Sequence, residues 1–257
     1  MRTYVYVDAF NLYYGRLKDT PYRWLNLEAL VRNALSHKFK VERIKYYTAR
    51  VSARADDLDA PNRQQVYLRA LRTLPRVEIF YGHFLTHEVK MRLARPKAGC
   101  PDKVKVIRTN EKGSDVNLAT ALLVDGWDHL YEAAIIVSND SDLLAPVKVV
   151  RERLGKHVAI LNPHEDHAAV LKPVVNFMRR ITERHVRASQ FPPTLQDEAG
   201  SFSNPSRESD CTSSRPRRTS MLRQSGGSPS RRFMTSFAWA TSSENVPESI
   251  AIRGEPR

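Results

Sequence analysis

The sequence predicts an α/β fold, a mostly parallel central sheet with helices on both faces. Two observations carry that prediction. Across roughly the first 188 residues, short β-branched or aromatic runs alternate with longer helical patterns. The strand-like runs are also continuously apolar, as strands buried on both faces should be. With 257 residues and 41% hydrophobic content, the chain can bury a substantial core.

The elements follow in order. TYVYVD (3–8) reads as a buried strand and LNLEALVRNALSH (25–37) as an amphipathic helix. VERIKYYTARV (41–51) is the next strand, and PNRQQVYLRALRTL (61–74) contains a helix. RVEIFYGHFL (76–85) and VKVIRT (104–109) are strands around an irregular basic segment. KGSDVNLATALLVDG (112–126) carries a helix, AAIIVS (133–138) a strand, DLLAPVKVVRERLG (142–155) a helix and HVAIL (157–161) the last strand. After about Gln190 the composition shifts. Residues 1–188 are expected to form the domain, 189–200 a closing segment, and 201–257, rich in Ser, Arg, Pro and Gly, a flexible, disordered tail.

Lys and Arg outnumber Asp and Glu by 41 to 28, a formal charge of +13. Residues 189–257 hold nine arginines and seven acids, so +11 falls on the first 188 residues, which suits a polyanionic partner. Two distant cysteines, Cys100 and Cys211, make no disulfide framework and point to a reducing interior. No apolar run approaches the roughly 20 residues of a membrane span, and the amino terminus is strand-like rather than a signal peptide. A cytoplasmic protein without a membrane partner is expected, with homodimerisation left open.

Four aspartates occupy comparable places in this pattern. Asp8 ends the first strand, Asp115 opens a helix, Asp140 follows AAIIVS and Asp142 opens the helix after it. Each has an ordinary explanation: Ser114 as a cap with Asp115 in the first turn, Asp140 and Asp142 in an Asx turn, Asp8 as a strand end. In an open parallel sheet, however, these positions share one edge, where sites form. Clustered carboxylates repel unless a cation compensates, and hard oxygen ligands suit Mg²⁺ or Mn²⁺. Such an ion on a basic surface points to phosphodiester hydrolysis. Ser138 is read as supporting its turn rather than as a nucleophile. Arg50 ends the second strand and should face the same edge. Arg95, Lys105 and Arg108 belong to a basic segment leading into KGSD, a candidate RNA contact. His83, His87 and Cys100 lack a fourth zinc ligand.

YVDAFNL (6–12), EKGSDVNLA (111–119) and VSNDSDL (137–143), in that order, resemble the motifs of the NYN domain, a branch of the PIN-like metal-dependent ribonucleases. The resemblance spans about residues 1–188, and FPPTLQDEAG (191–200) is similar to the family's closing segment. It implies a PIN-like three-layer α/β/α sandwich with a Mg²⁺- or Mn²⁺-dependent site that cuts RNA. Asp8, Asp115, Asp140 and Asp142 would be the ligands, Asn11 would orient Asp8 or the substrate, and Lys112 would contact phosphate. The tail departs from the family pattern. The leading expectation is an endonucleolytic ribonuclease; the alternative is an RNA-binding regulatory module with a weak or inactive site. Retention of all four acids favours the enzyme. A Rossmann-type nucleotide binder is disfavoured because no Gly-x-Gly-x-x-Gly follows the first strand, and no Walker motif is present.

Overall fold

The computed structural model describes residues 1–53, 57–94, 102–165 and 169–205. β1 (Arg2–Asp8) runs straight into α1 (Ala9–Leu12), which continues as a π-helical turn over Tyr13–Leu17. α2 (Leu27–Ala34) starts where the Asn26 side chain accepts from the Ala29 amide at 2.9 Å, satisfying a donor that the helix leaves unpaired. β2 (Lys40–Ala49), α3 (Ala60–Arg72), β3 (Val77–Arg92), β4 (Lys103–Lys112), α4 (Ser114–Trp127) and β5 (Ala133–Val137) follow. Then come α5 (Leu144–Lys148), β6 (His157–Asn162), β7 (Phe177–Arg180), α6 (Glu183–Arg187), and a small hairpin of β8 (Thr194–Asp197) and β9 (Gly200–Ser203).

The central sheet has seven strands in the order β4-β3-β2-β1-β5-β6-β7, all neighbours parallel except β3 and β4. The alternation of side chains along each strand separates two cores. Val5, Val7, Ile44 and Val137 pack with Leu30, Leu68 and Leu71 of α2 and α3. Tyr6, Tyr47, Ile136 and Ile160 pack with Leu118, Leu122 and Val147 of α4 and α5. This is the expected three-layer α/β/α sandwich. No helix among the described residues is long and apolar enough to cross a membrane.

Three boundaries differ from expectation. The basic segment after residue 85 is not all irregular: β3 extends to Arg92 and pairs antiparallel with β4, forming a long hairpin arm. HVAIL is not the last strand, because β7 adds to its far side. Residues 201–203, expected in the tail, form β9 instead. The closing segment is held by Trp24 Nε1 donating to the Pro192 carbonyl at 2.8 Å, by two 2.6 Å hydrogen bonds from Arg69 to Asp197, and by the Arg69 guanidinium 4.1 Å over the Phe202 ring. The remaining expected tail, 206–257, lies outside the described residues, as do Arg95, Lys97, Cys100 and Cys211.

Candidate active site at the carboxyl edge of the sheet

The chain builds outward from β1 in both directions: β2, β3 and β4 to one side, β5, β6 and β7 to the other. β1 and β5 therefore flank the switch point, where open α/β sheets place their ligands. Asp8 leaves β1 at this point, and Ser138, Asn139 and Asp140 follow β5 beside it.

Asp8 is only 6% exposed. Its Oδ1 accepts from the Asn11 amide at 3.0 Å, which caps α1, and its Oδ2 accepts from Ser138 Oγ at 3.1 Å. The Asn11 side chain in turn accepts from the Asn139 amide at 2.9 Å, tying α1 to the loop after β5. The Asp140 amide donates to Ser138 Oγ at 3.1 Å, and Asp140 Oδ1 accepts from the Asp142 amide at 3.0 Å. So the Asx turn expected from sequence exists, and Ser138 does support it. Burial is the main influence on Asp8 and pushes its pKa up to about 7; the Asn11 and Ser138 hydrogen bonds pull it down, while Asp115 and Asp140 push it up.

Asp115 sits in the first turn of α4. Its pKa is raised to about 6, by desolvation first and then by the charges of Asp140, Glu111 and Asp142, against a lowering hydrogen bond from Ser114. Carboxylates from three separate stretches thus act on Asp8 and Asp115 at a single edge. The cap is not Ser114, as expected, but Gly113 at φ 97°, a left-handed conformation that other residues adopt at a cost. Ser114 instead donates from both its amide (3.1 Å) and its hydroxyl (2.7 Å) to Glu111. Glu111 is the residue that sequence reasoning missed. Its signal lay in the EKGS spacing, a carboxylate three residues before the first free amide of the helix. Gly82 of β3 permits this turn, since a Cβ there would lie 2.3 Å from Glu111 Oε1 and 2.7 Å from the Lys112 carbonyl.

The expected nucleic-acid contacts separate. Lys112 is exposed beside the KGSD turn. Arg108 and Lys105 lie further along the arm, about 14 and 24 Å from Lys112 at strand rise. Arg108 donates to Asn110 Oδ1 at 3.1 Å, and Lys105 pairs with Glu88 at 3.4 Å on the opposite hairpin face. Arg50 stacks 5.3 Å over the Tyr81 ring on the β3 side.

Among the described residues, no three His, Cys, Asp or Glu side chains are gathered into a ready cage for an ion. The chemistry of the donor set nevertheless fits hydrated Mg²⁺ or Mn²⁺, because Mg²⁺ keeps several waters and takes only one or two carboxylates directly. Burial is the main cause that raises Asp8 and Asp115, and the part that comes from neighbouring carboxylates is what a divalent cation would relieve.

On the other side of the sheet edge, a cavity of about 770 Å³ lies between α1, the end of β2, α3 and the hairpin arm, with Phe10, Tyr13, Tyr14, Tyr46, Tyr67 and Phe84 in its wall.

An α/β/α sandwich with an acid-lined switch point is the arrangement that the sequence motifs imply. The model of the NYN domain matches residues 2–176, and the chain belongs to that family. It is also 30% identical, over a 190-residue alignment, to 6-hydroxy-3-succinoylpyridine 3-monooxygenase HspA of Pseudomonas putida (strain DSM 28022 / S16). That alignment spans 63% of this chain and 60% of the relative's length. A solved structure of a Vibrio parahaemolyticus RIMD 2210633 protein of unknown function is similar at TM-score 0.47 and 15% identity, covering 74% of this chain and 96% of that one.

Proposed function

We propose that the protein hydrolyses RNA phosphodiester bonds with Mg²⁺ or Mn²⁺ at the Asp8 edge, cutting within the strand. The observation that carries this reading is that Asp8 feels Asp115 and Asp140, and Asp115 feels Asp140 and Asp142, at the switch point of an NYN fold, with no ion pair to any of the four among the described residues. When bound, the ion supplies Lewis-acid stabilisation of a phosphoryl oxygen and a water of lowered pKa. The chain's own residues orient the site. Ser138 and the Asn11 amide fix the Asp8 carboxylate, the Asn11 side chain fixes the loop bearing Asp140, and Gly113 fixes the start of α4 and with it Asp115. Lys112, exposed and without an ion pair among the described residues, would meet a neighbouring phosphate, and the net positive charge favours encounter with a polyanion. The test is incubation of the purified protein with single-stranded and structured RNAs in Mn²⁺, Mg²⁺ or chelator. Cleavage that needs the ion and disappears in Asp8→Asn supports the reading. Binding without cleavage would leave an RNA-binding module.

A second reading follows the relative's name. The aromatic cavity would suit a planar heteroaromatic substrate, and ring hydroxylation of it would consume O₂ and an external two-electron donor. Donor-dependent O₂ uptake on a hydroxypyridine, with RNA left intact, is the result that would favour it.

A further inference from the structure

The cavity beside the aspartates has the chemistry of a site for a flat heterocycle. Phe10 of α1 and Phe84 of β3 meet edge to face at 5.8 Å, which brings α1 and the hairpin to one space, and Tyr13 and Tyr14 of the turn after α1 meet at 5.3 Å in the same wall. The walls are not wholly apolar. Thr48, Thr86, Thr109 and Tyr46 are among its lining residues, with the Thr86 and Thr109 hydroxyls 2.9 Å apart. Aromatic faces with a few polar edges are what planar heteroaromatic ligands use, and the volume falls in the range of small-molecule sites.

Charge at the cavity selects an anionic ligand. Lys18, Arg23, Arg63 and Asp57 line it; Asp57 is paired with Arg63, while Lys18 and Arg23 have no carboxylate within ion-pair distance among the described residues. Lys18 Nζ lies 5.6 Å over the Tyr14 ring, on the cavity's rim. Position then joins the cavity to the acids. Tyr46 pairs with Val7 across β1 and β2, a strand spacing of about 4.8 Å, and Ala9, the residue after Asp8, is part of the wall. The cavity therefore adjoins the carboxyl edge that carries Asp8.

We propose that this cavity takes one unstacked nucleobase of the RNA strand and thereby sets which phosphate reaches the aspartates. The inference rests on the ribonuclease reading, and it makes single-stranded RNA the substrate, because a base within a duplex cannot enter. Base–aromatic contact of this kind is sequence-tolerant, since every base presents a π face.

The test is binding in chelator, so that it does not depend on hydrolysis. Fluorescence anisotropy would be measured with a short single-stranded oligoribonucleotide and a series each lacking one base. One abasic position should weaken binding about tenfold. Phe84→Ala should cost as much on the intact strand and add little when combined with that abasic position. If Phe84→Ala does not fold, Tyr14→Ala, whose residue is 55% exposed, carries the same comparison. Losses that simply add, or no sensitive position, would overturn the proposal. So would binding of free nucleoside monophosphates or nicotinate without binding of the oligonucleotide. The two readings fail separately: base-dependent binding with RNA left uncut sinks the ribonuclease, whereas ion-dependent cleavage with no sensitive position sinks the pocket alone.

Discussion

Asp8 and Asp125 are both buried aspartates packed against the same sheet, yet the fold treats them differently. Asp125, near the end of α4 and 5% exposed, accepts from Lys45 Nζ and from the Tyr6 hydroxyl, each at 2.7 Å. Lys45 is further held near the Tyr4 and Phe80 rings, at 5.8 and 5.7 Å. Asp8, 6% exposed, accepts from a hydroxyl and an amide, has no ion pair among the described residues, and feels the charges of Asp115 and Asp140. One carboxylate is paired with a cation where it stands; the other, among the described residues, is not. A buried acid with its own lysine fastens α4 to β2, whereas a buried acid without one is a candidate functional group.

The sharpest way to break this contrast is to compare losses of activity with losses of stability. Asp115→Asn should lower single-turnover RNA cleavage by about 10³-fold, roughly 4 kcal/mol in the barrier, with the fold retained. Cleavage within about threefold of wild type would return Asp115 to being an ordinary first-turn residue. Lys45→Met should do the opposite. Removing one partner of a buried pair costs about 3 kcal/mol, readable as a lower urea midpoint, while cleavage per folded molecule at low temperature stays near wild type. An unchanged midpoint would show that the Lys45–Asp125 pair holds nothing together.

Asp8 provides a smaller and oppositely signed effect. Its native pKa lies above that of an exposed aspartate, so below about pH 4 the native and unfolded carboxyls are both protonated and no penalty is felt. From there to about pH 7 the native state holds a proton that the unfolded state has lost, and its contribution to stability falls as pH rises. Asp115, raised to about 6, acts in the same direction. In chelator near neutral pH, Asp8→Asn should therefore stabilise the protein by about 1–2 kcal/mol, less than the full shift because one hydrogen bond to the carboxylate is altered. The stability difference between the variant and wild type should widen through that window; a flat difference would mean that Asp8 is compensated after all. Saturating Mn²⁺ should raise the wild-type melting temperature and leave Asp8→Asn nearly unmoved, as expected for binding to the native state alone. Equal shifts for both would place the ion elsewhere.

Much of this contrast could be read in the sequence because it follows from side-chain chemistry. An aspartate closing the run YVYV is costly wherever it falls, and continuously apolar strands such as AAIIV announce a sheet covered on both sides. What escaped depended on partners distant in sequence or on weak local pattern. FMRR of β7 is short and half basic, so it carries no strand signal until β6 supplies the register Ile160↔Met178. Of the hairpin arm, VKVIRT was legible but residues 86–92 were not: Val89 and Met91 do alternate with Lys90 and Arg92 at strand period, yet the run is too short and basic to separate from a solvated loop until β4 pairs with it. Gly113 replaced Ser114 as the cap because a left-handed turn lets Glu111 take both Ser114 donors, a tertiary choice made possible by Gly82 on the neighbouring strand.

The smallest effect separates Lys112 from Lys105, two lysines on one strand that composition treats alike. Lys112 adjoins the turn that presents Asp115, whereas Lys105 is about 24 Å away at strand rise and is paired with Glu88. Each phosphate contact with a single strand contributes about 0.7 to the slope of log affinity against log salt. Lys112→Ala should make that slope shallower by about this amount and weaken binding of short RNAs without changing their ion requirement. Lys105→Ala should leave the slope for short RNAs unchanged, because a strand that reaches from the aspartates to the arm must be several nucleotides longer. Titrations against an RNA length series decide the matter. If Lys105→Ala matters as much as Lys112→Ala on the shortest RNAs, the strand runs along the arm rather than across the aspartate edge, and the separation between the two lysines disappears.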